Sequence, residues 1–201
     1  MAESPRPDLA DIPLPLSPIP AGTHLFRLVR GEYKEEGALR FGASDDPAKR
    51  SRWYAPDASY GVGFFSFVER VCFLETPLRN PHQRFVSESE LDNWLLVELE
   101  LVEEIRVVEL SGSGLRQIGC TASTISGPHK YTWPFSKALH DHPDDPDGIM
   151  HPSKMDPDDS AIALFDRARP ALRIIGSVVP TDPHFEVTLA SILHRYDVGL
   201  V

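Results

Sequence analysis

Residues 60–75 read YGVGFFSFVERVCFLE and form the most apolar run of the chain. Apolar side chains recur there at spacings of three and four residues, a pattern that predicts a helix with one broad buried stripe. The stripe positions are Phe64, Phe67, Val68, Val71, Cys72 and Glu75. Glu69 and Arg70 fall on the opposite face, in the middle of the run. A carboxylate at that position is either solvated or part of the wall of a partly closed pocket.

The composition indicates one globular domain that is large enough to bury a core. The chain has 201 residues, 41% of them hydrophobic, and a formal net charge of −10. That charge argues against nucleic acid and anionic membranes as direct partners, because binding to either needs clustered Lys and Arg, whereas it fits a basic partner protein. No apolar run reaches the roughly 18 residues of a membrane helix.

The cysteines and the N-terminal sequence indicate the cellular compartment in which the protein is expected. Cys72 and Cys120 lie in or beside apolar runs and lack CxxC spacing. Two isolated cysteines in a chain of this size are typical of reduced core residues. The N-terminus also lacks the basic-then-apolar pattern of a signal peptide. We therefore expect a cytoplasmic protein.

The order of elements predicts an α+β fold in a single domain. Residues 1–22 hold six prolines and form an extended arm, which leaves residues 23–201 as the domain. Patterns typical of strands and helices follow one another without an internal repeat and without strict βαβ alternation, so we expect a mixed sheet with flanking helices. The expected strands include residues 24–30, 53–55, 94–102, 161–165 and 173–179, and the expected helices include residues 133–140 and 184–196.

One segment is rich in side chains that bind metals. Residues 140–151 read HDHPDDPDGIMH. His140, His142, Asp147 and His151 could form a nitrogen and oxygen site, which would indicate a metal-dependent hydrolase. The spacing matches neither the HExxH helix nor a calcium loop, so a solvated acidic loop is the simpler interpretation.

A second set of polar residues stands in apolar strands or helices. Its members are Arg27, Arg40, Tyr54, Glu69 and Ser153. Together they resemble the RES-domain family, which is named for an Arg, a Glu and a Ser. The strongest match is the stretch DGIMHPSKMDPDDSAIALF at residues 147–165, which contains Ser153. It is similar to the family's strand that begins with Asp-Gly and ends with Pro-Ser and a basic residue, before an acidic loop and an apolar strand.

Upstream segments support this resemblance, which covers roughly residues 24–198. LFRLVR carries Arg27, LRF carries Arg40, WYA carries Tyr54 and FVERV carries Glu69. The spacing from Tyr54 to Glu69 is longer than in the family, so Tyr60 is an alternative to Tyr54. YTWPFSKALHDH resembles the helix that precedes the Asp-Gly strand, and either Thr132 or Ser136 could supply its polar side chain.

The resemblance implies an ADP-ribosyltransferase-like fold and an enzyme that consumes NAD. Arg27 and Arg40 would then hold the pyrophosphate, and Tyr54 would stack on the nicotinamide. Glu69 would stabilise the cation that forms at the ribose, with Arg27 beside it in the catalytic group, and Ser153 would bind the nicotinamide amide or orient Glu69. We expect these side chains to converge in one cleft, with NAD as substrate and no metal.

The resemblance also implies a toxin that is neutralised by an Xre-like antitoxin protein. The acceptor of the ADP-ribosyl group, which is water, phosphate or a protein side chain, stays open at this point. The oligomeric state is also open, a homo-oligomer included. Two alternatives to the NAD-consuming enzyme remain: the metal-dependent hydrolase described above, and a binding module that keeps the pocket but has lost turnover.

Overall fold

The computed structural model describes residues 4–201, in which strands hold more residues than α-helices do. The strands are β1 (Leu16–Ile19), β2 (His24–Arg30), β3 (Val62–Ser66), β4 (Phe85–Val86), β5 (Trp94–Leu101), β6 (Ile105–Glu109), β7 (Gly148–Pro152), β8 (Ser160–Phe165), β9 (Leu172–Val178) and β10 (Gly199–Leu200). The α-helices are α1 (Glu69–Glu75), α2 (Glu88–Leu91), α3 (Gly112–Gln117), α4 (Ala122–Ser126), α5 (Trp133–His140) and α6 (Glu186–Arg195). Short 3₁₀ turns connect several of them, including residues 35–39 and 166–171.

Eight of these strands form one mixed sheet in the order β1-β6-β7-β8-β3-β2-β5-β9. Strands β6 and β7 run parallel, and the other neighbouring strands run antiparallel. Strands β4 and β10 form a separate parallel pair. The α+β class, with a mixed sheet, flanking helices and a single domain, is confirmed.

The expected helix over residues 60–75 is wrong in its first half. Residues 62–66 form the central strand β3, and α1 begins only at Glu69. A continuous apolar run suits a buried strand as well as a buried helix, and Gly61 and Gly63 disfavour a helix there. Pairing with β8 over the whole of β3, from Val62 opposite Phe165 to Ser66 opposite Ala161, decides between the two.

The sheet is loosely joined between β2 and β3. Strand β2 pairs with β5 along its whole length, from His24 to Arg30, but with β3 only where Phe26 faces Ser66. Beyond that point the guanidinium of Arg27 lies over the ring of Phe65, 5.3 Å from its centre. The two strands therefore diverge, and the side chain of Arg27 lies where they separate.

The expected strand at residues 53–55 is an irregular segment instead. The backbone carbonyl of Arg52 accepts a hydrogen bond from the hydroxyl of Thr132, and that of Trp53 accepts one from Ser136 at 2.5 Å. Side chains at and beside α5 thus satisfy the carbonyls that a neighbouring strand would otherwise pair with. The segment is fixed against α5, and Trp53 is fully buried in the core.

The N-terminal arm is part of the sheet. Within residues 4–22, β1 pairs antiparallel with β6, and Leu9, Leu14 and Ile19 are buried. The buried ring of His142 donates from Nε2 towards the carbonyls of Leu9 at 3.0 Å and Ile12 at 3.2 Å. Residues 1–3, which the expected arm includes, lie outside the described residues.

Other features of the fold agree with the sequence patterns. Both cysteines are buried, as expected. None of the helices within residues 4–201 has the length and apolar character needed to cross a membrane.

We predict that His142→Leu loosens the arm. Leucine keeps much of the bulk of the ring but removes its hydrogen bonds to the carbonyls of Leu9 and Ile12, which should lower the free energy of unfolding by about 1–3 kcal/mol. Urea denaturation measures this loss. Relative to the parent, amide hydrogen exchange in the variant should accelerate more in β1 than in β5.

The matched control is His184→Leu. The side chain of His184 is 95% exposed and bonds only to nearby Asp182. This change should stay within about 0.5 kcal/mol. Unchanged exchange in β1 of the His142 variant would show that the ring does not hold the arm.

Candidate functional site

An arginine-rich cavity of about 930 Å³ opens beside β2. Its wall includes three of the residues expected in the cleft: Arg27, Arg40 and Tyr54. Further cationic and aromatic side chains complete much of the lining, namely Arg30, Arg169, Tyr33, Phe41 and Trp94. Glu36 and Asp166 are the acidic residues among its lining residues. Such a mixture of guanidinium groups and rings suits an anionic ligand that contains aromatic bases.

Arg27 and Arg40 occupy different environments in this cavity. The guanidinium of Arg27 donates to the carbonyls of Ala38 at 2.9 Å and Arg40 at 2.8 Å. Burial lowers the pKa of Arg27 to about 10, so the group stays charged at neutral pH. Arg40 is exposed, and its guanidinium lies 4.6 Å from the centre of the Tyr33 ring. Arg27 therefore holds the loop that presents Arg40, and Arg40 offers its donors to solvent or to a ligand.

Ser153 belongs to a second cluster of polar groups, called here the Glu75 group, in which it contacts the carboxylate of Glu75. The buried hydroxyl of Ser153 donates to Oε1 of Glu75 at 2.6 Å, and the backbone N–H of Lys154 donates to the same oxygen at 3.2 Å. The Ser153 hydroxyl in turn accepts from the backbone N–H groups of Met155 and Asp156, at 3.2 and 3.4 Å. Glu75 remains exposed, so a ligand can reach the carboxylate that Ser153 positions.

Cationic side chains surround this carboxylate. The guanidinium of Arg52 donates to the carbonyl of Ile125 and to the carbonyl of Gly127, the latter at 2.9 Å. Burial lowers the pKa of Arg52, and the negative charge of Glu75 opposes that shift. Burial also lowers the pKa of His129, and the positive charges of Arg52, Lys154 and Arg79 lower it further. Glu75 therefore lies within the field of a cluster of positive charges, which suits a negatively charged ligand.

Glu69, the carboxylate chosen from the sequence, begins α1, and Glu75 ends it. Six residues along a helix correspond to a rise of about 9 Å and a rotation of about 240° from one position to the other. Ser153 bonds to Glu75 rather than to Glu69. The sequence held a signal for Glu75, because this residue falls on the stripe of otherwise apolar positions. Arg52, which precedes Trp53 and Tyr54, was missed because basic residues are common in polar loops.

Tyr60, the alternative to Tyr54, and the two candidate hydroxyls of the helix, Thr132 and Ser136, all lie in the core. Tyr60 is buried, its hydroxyl is 2.7 Å from that of Ser136, and its ring stacks on His140 with centres 3.8 Å apart. Burial strongly raises the pKa of Tyr60. Ser136 and Thr132 hold the backbone of residues 52–53, as described above. Tyr54, by contrast, stacks on Phe64 and lines the cavity.

The residues of the expected metal site have separate partners. His140 stacks on Tyr60, His142 holds the N-terminal arm, and His151 donates from Nδ1 to the carbonyl of Pro152 at 2.9 Å. Asp147 accepts from the backbone N–H of Arg106 at 2.8 Å. Within residues 4–201, no group of three or more His, Cys, Asp or Glu side chains is placed to hold a metal ion. The geometry therefore gives the metal-dependent hydrolase no support.

Comparisons with known proteins bear on the family and the fold of this chain. A family model described as the RES domain matches residues 24–190. A chain in the crystal structure of the M. tuberculosis MbcT–MbcA toxin–antitoxin complex is similar in fold, with a TM-score of 0.60 and 18% sequence identity. The alignment covers 86% of this chain and 92% of that chain, which is the MbcT toxin. No curated protein gives a significant match.

We predict that the hydroxyl of Tyr60 contributes to the stability of the fold and that the hydroxyl of Tyr54 does not. Tyr60→Phe removes a buried hydrogen bond to Ser136 and should lower the free energy of unfolding by about 1 kcal/mol. Tyr54→Phe, in the cavity wall, should stay within about 0.5 kcal/mol. Urea denaturation of both variants checks this, and an equal loss in both would contradict the assignment.

Proposed function

The chain belongs to the RES domain family, and we propose that it is an enzyme that consumes NAD by breaking the bond between nicotinamide and ribose. One observation carries the proposal: the exposed carboxylate of Glu75 is oriented by the buried hydroxyl of Ser153, 2.6 Å away, in a cluster of cations. In this proposal Arg52, Glu75 and Ser153 are the Arg, the Glu and the Ser for which the family is named.

The carboxylate of Glu75 suits the chemistry of this bond. When the bond between nicotinamide and ribose breaks, positive charge develops on the ribose ring, as in other glycosidic cleavages. A fixed carboxylate stabilises that charge more in the transition state than in the ground state, which raises turnover. The hydrogen bonds from Ser153 and Lys154 fix one oxygen and leave the other for the substrate. We therefore propose Glu75 for the role that the sequence analysis gave to Glu69.

The arginines suit the rest of NAD. Its pyrophosphate carries negative charge, which guanidinium groups bind by paired, charge-assisted hydrogen bonds. In this proposal Arg40 binds the pyrophosphate, Arg27 holds the loop that presents Arg40, and Tyr54 provides a ring for stacking. Residues 52–54 are consecutive and join the arginine-rich cavity to the Glu75 group. One extended dinucleotide could therefore contact both.

We further propose that the protein is the toxin of a toxin–antitoxin pair. The structural neighbour is described as a toxin in complex with its antitoxin, and the family resemblance implies an Xre-like antitoxin for this chain. The formal net charge of −10 fits a basic partner. Its proposed place of action is the cytoplasm, in keeping with two buried cysteines.

Incubation with NAD tests the reaction. The purified chain is incubated with NAD, with and without inorganic phosphate, and the products are identified by mass spectrometry. Release of nicotinamide supports the proposal, and the second product identifies the acceptor as water, phosphate or a protein side chain. NAD binding without release of nicotinamide would instead indicate a binding module.

We predict that Glu75→Gln lowers turnover of NAD by roughly 10²–10³, because glutamine keeps the size of the side chain but not its charge. NAD affinity should change far less, since the charge acts mainly in the transition state. Nicotinamide release measures turnover, and calorimetry measures affinity. If the protein is a toxin, cells should tolerate this variant and not the parent.

Glu69→Gln is the matched control on the same helix. We expect its turnover to stay close to that of the parent, because Ser153 does not orient Glu69. The reverse pattern, with turnover lost only in Glu69→Gln, would return the catalytic role to Glu69. Equal turnover in the parent and both variants would remove both carboxylates from the mechanism.

We predict that Arg40→Lys weakens NAD binding about tenfold or more. Lysine keeps the charge but loses the planar fork, and a hydrogen bond to a charged group contributes about 1.5–3 kcal/mol. Titration calorimetry in the Glu75→Gln background avoids turnover during the measurement. Arg173→Lys is the control, because Arg173 on β9 pairs with Glu100 on β5 and is not among the residues that line the cavity. Equal affinities would exclude Arg40 from the NAD site.

A further inference from the structure

Two buried ring nitrogens have no hydrogen-bond partner among residues 4–201, and they belong to neighbouring rings. They are Nε1 of Trp53 and Nε2 of His151, and the ring centres are 5.5 Å apart. Trp53 is fully buried and His151 is 7% exposed. Buried polar atoms in folded proteins are nearly always paired, so each of these two nitrogens calls for a partner other than the surrounding side chains.

The two nitrogens have complementary roles. Indole Nε1 can only donate a hydrogen bond. His151 donates from Nδ1 to the carbonyl of Pro152 at 2.9 Å, so its Nε2 carries a lone pair when the ring is neutral. Burial lowers the pKa of His151; the nearby charge of Arg52 also disfavours protonation, while that of Glu75 favours it. The neutral ring therefore presents an acceptor next to a donor.

A water molecule matches this pair. It can accept from Trp53 and donate to His151, and buried waters in proteins typically satisfy such leftover groups. We propose that Trp53 and His151 bind one buried water between them, and that this water couples the segment of Arg52 to strand β7, which ends just before Ser153. Trp53 directly follows Arg52, and His151 lies two residues before Ser153. The coupling role rests on the proposed function, whereas the water site itself does not.

Nuclear magnetic resonance of the full chain tests the water site without NAD. We expect long-range nitrogen spectra to show His151 protonated at Nδ1 and unprotonated at Nε2, with His151→Gln providing the assignment. We expect the Trp53 indole proton to show a cross-peak to a long-lived water, with Trp53→Phe providing the assignment. Trp133 is an internal control, because its Nε1 already donates to the carbonyl of Ser51 at 3.0 Å.

Two results would overturn the water site. One is a Trp53 indole proton that shows no more water contact than that of Trp133. The other is a His151 ring that is protonated at Nε2 at neutral pH. Neither result depends on whether the protein consumes NAD.

Nicotinamide release tests the coupling role. His151→Leu removes the acceptor, while His151→Gln retains a polar side-chain end that can bind the water. Since small displacements of reacting groups are costly, we expect turnover to fall about tenfold or more in the leucine variant and to recover in the glutamine variant. If the leucine and glutamine variants have equal turnover and the parent shows the water cross-peak, the coupling role is refuted, but the water site between Trp53 and His151 still stands. If the parent releases no nicotinamide, the proposed function fails and the coupling role with it.

Discussion

The site depends on one ion pair, between Arg70 on α1 and Asp159 before β8. It is bidentate: Nε of Arg70 lies 2.7 Å from one carboxylate oxygen of Asp159 and a terminal nitrogen lies 2.6 Å from the other. Asp159 also accepts, through its backbone carbonyl, from the N–H of Ser153 at 2.8 Å. The pair is partly buried, and paired donors fix direction as well as distance. Arg70 thereby ties α1 to the loop after β7, and Glu75 meets Ser153 although 78 residues separate them in sequence.

The pairing of strands in the sheet brings Glu75 and Ser153 close together. Because β3 pairs with β8 and β8 pairs with β7, the end of β3 lies near the start of β8 and the end of β7. Helix α1 leaves β3 at this end, so its length of seven residues sets where Glu75 falls. On the other side, β3 separates from β2 beyond Phe26, which leaves room for the arginine-rich cavity. The same strand therefore positions the carboxylate and borders the opening.

Much of the fold could be predicted from sequence, because alternation along β5 and β9 and the apolar stripe of α6 are local signals. The central stretch could not, because a continuous apolar run does not distinguish a strand from a helix, and pairing with a strand about 100 residues away decided it. Residues 53–55 were mistaken for a strand because hydroxyls of Thr132 and Ser136 replace the missing strand partner. The carboxylate that Ser153 contacts could not be predicted for a related reason. A helix predicted to start at residue 60 does not indicate which of Glu69 and Glu75 reaches Ser153, whereas in the structure the hydrogen bond goes to Glu75.

The protein as a whole carries net negative charge, whereas the side chains around the site and the cavity are mainly positive. The first affects the approach of large partners, and the second affects the binding of a small molecule. A formal net charge of −10 acts over the whole surface and governs which large partners approach. A bound small molecule feels mainly charges within about 8–10 Å, since salt screens the rest. The charge of Arg52 acts on Glu75, and the charges of Arg52, Arg79 and Lys154 act together on His129. The lining of the cavity includes Arg27, Arg30, Arg40 and Arg169. In the proposed function, these arginines hold the dinucleotide anion although the chain as a whole is acidic. In that proposal the oriented carboxylate of Glu75 supplies negative charge beside the ribose, where positive charge develops as the bond to nicotinamide breaks.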